Sequence, residues 1–297
     1  MQSRSRQLIR IAFLSFGLSC AVVAASAETR AQLTANLIWK GDAPWFGGFS
    51  GAEVTQGGAQ ITLLTDKGKL VYAEMRREMG QLKRLQVTKV SPVRHPMGQP
   101  IGGQFADAEG IAIGPGGQTF LSFEQAQRVV RMDPKTQTTI RLPDHPDFDR
   151  MARNKQLEAL AIHPNGTLFT LAERVPANRK TFPLYAFSND TWRVSHQIPR
   201  RGPFLMVGAD FDDRGQLYLL ERAVSPLGFR SRIRRFDLHA PDLGETQLMI
   251  SSPGRFDNLE ALSVWRDPKG NIRLTLVSDD NFLRIQRTQI VEFTLTE

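Results

Sequence analysis

Five acidic residues recur along the chain at nearly constant intervals. Glu53, Glu109, Glu158, Asp210 and Glu260 stand 56, 49, 52 and 50 residues apart. Each closes a short motif, and the residues two places earlier, Gly51, Asp107, Gln156, Gly208 and Asn258, would share its strand face. Several carboxylates brought together cannot all stay ionised unless positive charge sits among them. A hard divalent cation is the simplest neutraliser, and an all-oxygen set suits Ca²⁺ better than zinc. The same acids would also recur if each accepted hydrogen bonds from a neighbouring repeat or paired with an arginine, so repetition leaves a metal reading and an architectural one open. A second recurrence pairs acid with base: Glu173-Arg174 and Glu221-Arg222 end similar apolar runs, with Asp66-Lys67 and Asp279 to Asn281 at matching places. An arginine fork matches a phosphate or carboxylate bidentately, although exposed loop ion pairs would look the same in sequence.

Other catalytic chemistries lack their residues. Gly48 to Gly51 misses the spacing of a nucleophile elbow. Three of the five histidines, His95, His145 and His163, precede proline, which suits turns better than metal ligation. There is no H-E-x-x-H, phosphate-binding loop or dinucleotide fingerprint.

The acids need elements that hold them around a common axis. After each comes an apolar stretch and a turn signal: Gln56 to Gly58, Gly114 to Gly117, His163 to Gly166, Asp212 to Gly215 and Asp267 to Gly270. A β-rich run follows each turn, ending at Asp66, Glu124, Glu173, Glu221 and Asp279. Third strands are expected at 70–74, 128–132, 182–187, 232–238 and 289–295, and fourth strands at 83–90, 138–142, 192–198 and 246–251. The fifth repeat has no fourth strand before the chain ends, and residues 33–40 are the obvious donor to its open edge. Four-stranded antiparallel units at this period predict an all-β fold, a β-propeller of five blades, or six if a degenerate blade is hidden, closed by an N-terminal strand. The first strand of each blade would line the central channel. A large sandwich or barrel is the competing architecture.

From Gly48 to the C-terminus, the ordered motifs Gly48-Phe-Ser-Gly-Ala-Glu53, Asp107-Ala-Glu-Gly-Ile111, Leu157-Glu-Ala-Leu160, Ala172-Glu-Arg174, Leu220-Glu-Arg222 and Ser278-Asp-Asp-Asn-Phe282 resemble the phytase-like family of exported bacterial β-propellers. The resemblance implies a propeller and a hydrolase of phosphoric or carboxylic esters, in the manner of calcium-dependent propeller phytases.

At the N-terminus, Arg4, Arg6 and Arg10 precede an apolar run from Ile11 to Ala24 and the small-x-small site Ala25 to Ala27. This is the pattern of an export signal over residues 1–27, leaving a propeller domain over 28–297 in the periplasm or outside the cell. The apolar run is too short to span a bilayer. The only cysteine, Cys20, lies in that segment, so the mature chain would have no disulfide and would rely on its core. Of 38 basic and 30 acidic residues, only three arginines lie in the segment, leaving a mild net charge of +5 that excludes a nucleic-acid partner.

The expected protein is a monomeric, metal-assisted ester hydrolase acting on a small anionic ester. Glu53, Glu109, Glu158, Asp210 and Glu260 would hold the cation, while Arg174 and Arg222, with Glu173 and Glu221, would serve the substrate. A non-catalytic propeller binding a ligand or protein at the channel mouth is one alternative, and a sugar lactonase, by analogy with other metal-centred propellers, is another.

Overall fold

The computed structural model describes residues 30–125, 127–151 and 157–296. The expected export signal and Gln156 lie outside them. Twenty strands form five four-stranded antiparallel sheets. Blade 1 is β1's sequel: β2 (Phe49–Thr55), β3 (Gln60–Thr65), β4 (Lys69–Glu78) and β5 (Gln81–Pro92), where β1 is Arg30–Ile38. Blade 2 holds β6 (Ala108–Ile113), β7 (Thr119–Phe123), β8 (Arg128–Met132) and β9 (Thr139–Arg141). Blade 3 holds β10 (Leu157–Ile162), β11 (Leu168–Ala172), β12 (Thr181–Ser188) and β13 (Thr191–Pro199). Blade 4 holds β14 (Leu205–Phe211), β15 (Leu217–Ser225), β16 (Gly228–Phe236) and β17 (Thr246–Ile250). Blade 5 holds β18 (Leu259–Arg266), β19 (Ile272–Ser278) and β20 (Gln289–Thr296), and its outer strand is β1.

The five-bladed reading therefore holds, and so does closure by an N-terminal strand. β1 pairs with β20 from Arg30↔Thr296 to Ile38↔Gln289, covering the edge that the last repeat would leave open. Thr34 Oγ1 adds a hydrogen bond to the Glu292 carbonyl at 3.1 Å.

Each pair of neighbouring blades shares one apolar wedge. Leu63 and Val71 of blade 1 meet Val277 and Ile290 of blade 5 in one wedge, and Leu171 and Leu184 of blade 3 meet Met206 and Leu219 of blade 4 in another. These side chains are fully buried, each contributing on the order of 1.5–3 kcal/mol of transfer free energy. The innermost strands β2, β6, β10, β14 and β18 touch in a closed ring. Close approach is possible because the ring is built with small residues. A Cβ at Gly110 would lie 2.8 Å from the Glu158 carbonyl oxygen, and one at Gly208 would lie 2.6 Å from that of Glu260. Real Cβ atoms do not tolerate such contacts, so these positions are held to glycine by the neighbouring blade.

Candidate active site

One irregularity, repeated five times, builds the site. At the start of every innermost strand the register slips, between Phe49 and Gly51, Ala108 and Gly110, Leu157 and Ala159, Met206 and Gly208, and Leu259 and Ala261. The extra residue of each bulge, Ser50, Glu109, Glu158, Val207 or Glu260, is released from the ladder at the same end of the axis. Glu109, Glu158 and Glu260 thus form one inner ring, with Ser50 and Val207 in its remaining places. The space these residues enclose on the axis, together with Ala52, Leu160 and Leu262, is about 10 Å³, scarcely room for one water. The mouth at this constriction is a cup.

A rim of charged residues surrounds this ring. It consists of the residues at matching register on the second strand side of each blade, just past the partner of the residue before the bulge: Asp66, Glu124, Glu173, Arg222 and Asp279, of which Arg222 still lies within its strand. Four are acids and one is an arginine. Arg222 reaches inward. Its Nη2 donates to Glu173 Oε1 at 2.9 Å, and its Nη1 donates to Asn258 Oδ1 at 2.7 Å and to Glu260 Oε1. Burial opposes its charge, but the carboxylates of Glu260, Glu158 and Glu173 raise its pKa above the ordinary arginine value.

Arg222 neutralises only one side of the cup. On the other side Asp107, Glu109 and Glu124 each place a carboxylate oxygen within 4.8 Å of the others, the one such acid or histidine cluster among the described residues. Burial, then the charges of Glu158, Glu260, Asp107 and Glu124, push the Glu109 carboxyl well above the usual range. Burial together with Asp107 and Glu173 pushes Glu124 up to about 7. Burial, and then Glu173 and Glu260, likewise raise Glu158 despite Arg222. Asp279 rises to about 8 through burial and Glu260, and Asp66 to about 6 through burial, partly offset by Lys67. Asp66 Oδ1 is also buried without a hydrogen-bond partner. Gly48, at φ +63°, packs against it, and a Cβ there would lie 2.3 Å from that oxygen. Next to it, a cavity of about 480 Å³ opens beside Asp66, Lys67 and Asp107. Asp107, Glu109 and Glu124 thus offer an all-oxygen donor set of the kind that suits a hard divalent cation.

A family model described as phytase-like, with esterase-like activity of phytase, matches residues 44–282. The chain belongs to the phytase-like family. Comparison with curated proteins returned no match. Among solved structures, the α-L-arabinofuranosidase of Podospora anserina in complex with cellotriose is 11% identical, with TM-score 0.53 over 91% of this chain and 98% of that one. The catalytic domain of a Coprinopsis cinerea α-L-arabinofuranosidase is 12% identical, with TM-score 0.54 over the same shares. At such identity the likeness is one of fold alone.

The cup of this phytase-like chain does not gather all the acids that recur in its sequence. Glu53 and Asp210 lie further along their strands than the bulged Ser50 and Val207, and each reaches across to the next blade. Ile113 N donates to Glu53 Oε1 at 3.0 Å, and Val264 N donates to Asp210 Oδ2 at 2.6 Å. Both carboxyls are raised by burial, Asp210 to about 7. Glu221 is turned away from the mouth, since Arg222 and not Glu221 occupies the rim position equivalent to Glu173. It is fully buried under Arg232 and Arg234, with Arg232 Nε at 2.5 Å and Arg234 Nη2 at 2.6 Å. Arg174 stands at the outer edge of the rim, half-exposed, its Nε 3.9 Å from Glu173 Oε2. Glu124, Asp66 and Asp279 are the mouth groups that the recurring five-acid pattern passes over, although all three ended the second-strand runs in sequence.

Proposed function

We propose that this protein is a metal-assisted hydrolase of phosphate or carboxylic esters. The observation that carries the reading is the convergence of Asp107, Glu109 and Glu124, whose carboxylate oxygens lie within 4.8 Å of one another. These three would hold the ion, with Glu158 and Glu260 completing the negative ring on its far side. When bound, a divalent cation of this kind supplies Lewis-acid polarisation of the scissile group and an acidified water. Ca²⁺ fits the oxygen donors best, with Mg²⁺ and Mn²⁺ as the other hard candidates.

The remaining roles fall to the chain's own groups. Arg222 fixes Glu173 and Glu260 through its hydrogen bonds and so sets the shape of the cup. Arg174, half-exposed at the rim, is placed to meet an anionic substrate and charge growing on its oxygens. Asp66, with a buried oxygen that has no partner and a pKa raised to about 6, is suited to accept and return a proton near neutrality. Glu53 and Asp210 tie blade 1 to blade 2 and blade 4 to blade 5, and Glu221 braces β15 against β16. Export through the N-terminal segment would place this activity in the periplasm or beyond.

A second reading, a non-catalytic propeller that binds ligand at its mouth, is favoured by Arg222, which already neutralises Glu173 and Glu260. Purified protein assayed against p-nitrophenyl phosphate, p-nitrophenyl acetate and a sugar lactone, with Ca²⁺ and with EDTA, separates the readings. Ester hydrolysis that needs the cation is the expected result. Opening of the lactone alone would make the chain a lactonase, and inactivity on all three would favour the binding propeller.

A further inference from the structure

Two neighbouring blades carry apolar tips out past the rim. In blade 4, β15 and β16 run on beyond the rim residue Arg222, and the hairpin they form exposes Val224 by 71% and Leu227 by 78%. In blade 5, the segment between β19 and β20 exposes Phe282, Leu283 and Ile285, the last by 89%. The chain between β17 and β18 joins the two tips: Gly254 N donates to the Phe229 carbonyl at 2.9 Å, and Arg287 N donates to Asp257 Oδ2 at 2.9 Å. The turns of the opposite face expose one large apolar side chain among the described residues, Met79. Single exposed apolar residues are ordinary on a surface, whereas a group on adjoining loops at one end marks a contact face.

The blade 5 tip is braced in its exposed position. Asn281 and Phe282 take the left-handed backbone, at φ +47° and +53°, which a bulky side chain adopts only at a cost. Asp280 holds them there: its Oδ1 accepts from Gly48 N at 3.2 Å and Phe282 N at 3.1 Å, and its Oδ2 accepts from Thr288 Oγ1 at 3.0 Å. The charges divide between inside and outside. Segments 223–230, 251–258 and 280–288 together hold four arginines and two aspartates. Both aspartates, Asp257 and Asp280, accept backbone N–H bonds. Of the arginines, Arg287 lies 3.6 Å from Asp257 and Arg230 bonds the Ser251 carbonyl at 3.4 Å, while Arg255 and Arg284 are exposed and form no ion pair with a described residue. Lys67, exposed at the edge of the same patch, stands 3.1 Å over the Phe282 ring. Projecting apolar tips flanked by guanidiniums match the two layers of an anionic bilayer surface, acyl chains within and phosphate oxygens above. They suit insertion better than a protein interface, whose centre packs as a continuous apolar surface.

We infer that the tips of blades 4 and 5 dock the protein on a lipid bilayer that carries anionic headgroups, with Leu227, Leu283 and Ile285 entering among the acyl chains and Arg255 and Arg284 meeting lipid phosphates. Docked in this way, the mouth of the cup faces the bilayer, recessed behind the blade 4 tip because β15 runs past the rim. The docking surface goes beyond the hydrolase reading and stands without it.

Co-sedimentation of the mature chain in EDTA, with vesicles of phosphatidylcholine alone and of phosphatidylcholine mixed equally with phosphatidylglycerol, tests the inference. Wild type should bind the mixed vesicles at least tenfold more tightly than phosphatidylcholine, and less tightly as salt rises. Leu227→Ser/Leu283→Ser/Ile285→Ser, at exposed positions and with a melt matching wild type, should bind the mixed vesicles at least tenfold more weakly. Arg255→Gln/Arg284→Gln should lose at least tenfold on the mixed vesicles and little on phosphatidylcholine. Residues 28–297 contain no cysteine, so Ile285→Cys and Met79→Cys each take one environment-sensitive fluorophore. Emission should shift to the blue on mixed vesicles at position 285 and stay unchanged at position 79. Vesicle binding that survives the serine changes, or a shift at 79 and not at 285, would overturn the docking face. Failure of wild type to bind either vesicle would overturn it too, and a wild-type dimer that the serine changes dissociate would then give the face to a second copy of the chain.

Discussion

Metal affinity at the cup should fall steeply as pH drops from 8 to 6. A cation and a proton compete for the same carboxylate oxygens, so every ligand whose pKa lies in this range weakens binding as it protonates. Glu124 titrates at about 7 because burial and Asp107 disfavour its charge. Its ionised fraction drops from roughly nine-tenths at pH 8 to roughly one-tenth at pH 6, a loss of about tenfold in affinity from this group alone. Glu109, raised further by burial and by its neighbours, steepens the fall. The sign for stability is opposite. These carboxyls hold protons more tightly in the fold than in the unfolded chain, so the metal-free protein loses stability as pH rises from about 4 toward 8. Calorimetric Ca²⁺ titrations at pH 6, 7 and 8 test this directly. Wild type should weaken by tenfold or more across the range, whereas Glu124→Gln should bind poorly at pH 8 and show a flatter pH dependence. A Kd that changes less than twofold between pH 6 and 8, or a Glu124→Gln variant with wild-type affinity, would refute the reasoning.

Deleting residues 28–41 removes β1 and bares the edge of β20, so the shortened chain should aggregate or melt well below the mature protein. An unchanged melt and a monomeric elution profile would contradict closure by β1. Glu221→Gln leaves Arg232 and Arg234 buried with their shared charge partner gone, which should cost about 3–5 kcal/mol in urea unfolding. A loss below about 1 kcal/mol would show that the network is dispensable. Mass spectrometry of protein from the native host should place the N-terminus at or beside Glu28, and an intact Met1 would contradict export by cleavage.

The architecture was legible because strand periodicity and turn chemistry repeat five times. The tips at Gly58, Gly117, Gly166, Gly215 and Gly270 each need the left-handed backbone that glycine adopts readily, and all five have positive φ. The missing last strand pointed to its donor at the other end of the chain. The site was legible only in part, because a bulge of one residue is invisible to pattern matching. Sequence spacing aligned Glu53 and Asp210 with Glu109, Glu158 and Glu260, whereas the bulges align Ser50 and Val207 with them. The Glu-Arg pairs misled in the same way. Glu173-Arg174 and Glu221-Arg222 look equivalent, yet β15 continues past the point where β11 ends, and Arg222 takes the place of Glu173 at the rim. The reversal puts a cation where four other blades put an acid, and nothing in the dipeptide announces it.

Thermal melts of wild type and Glu109→Gln, each in EDTA and in excess Ca²⁺, test most directly whether the acidic cup exists to hold a cation. At a concentration of 100 times Kd the ion should stabilise wild type by about 2.7 kcal/mol, a rise of roughly 5–10 °C for a domain of this size. Glu109→Gln should lose that rise. In EDTA it should melt at or above wild type, because one of several crowded carboxylates has been removed. A wild-type melt that Ca²⁺, Mg²⁺ and Mn²⁺ all leave unmoved, together with a Glu109→Gln variant that melts lower in EDTA, would contradict the metal site and make the ring a purely architectural device.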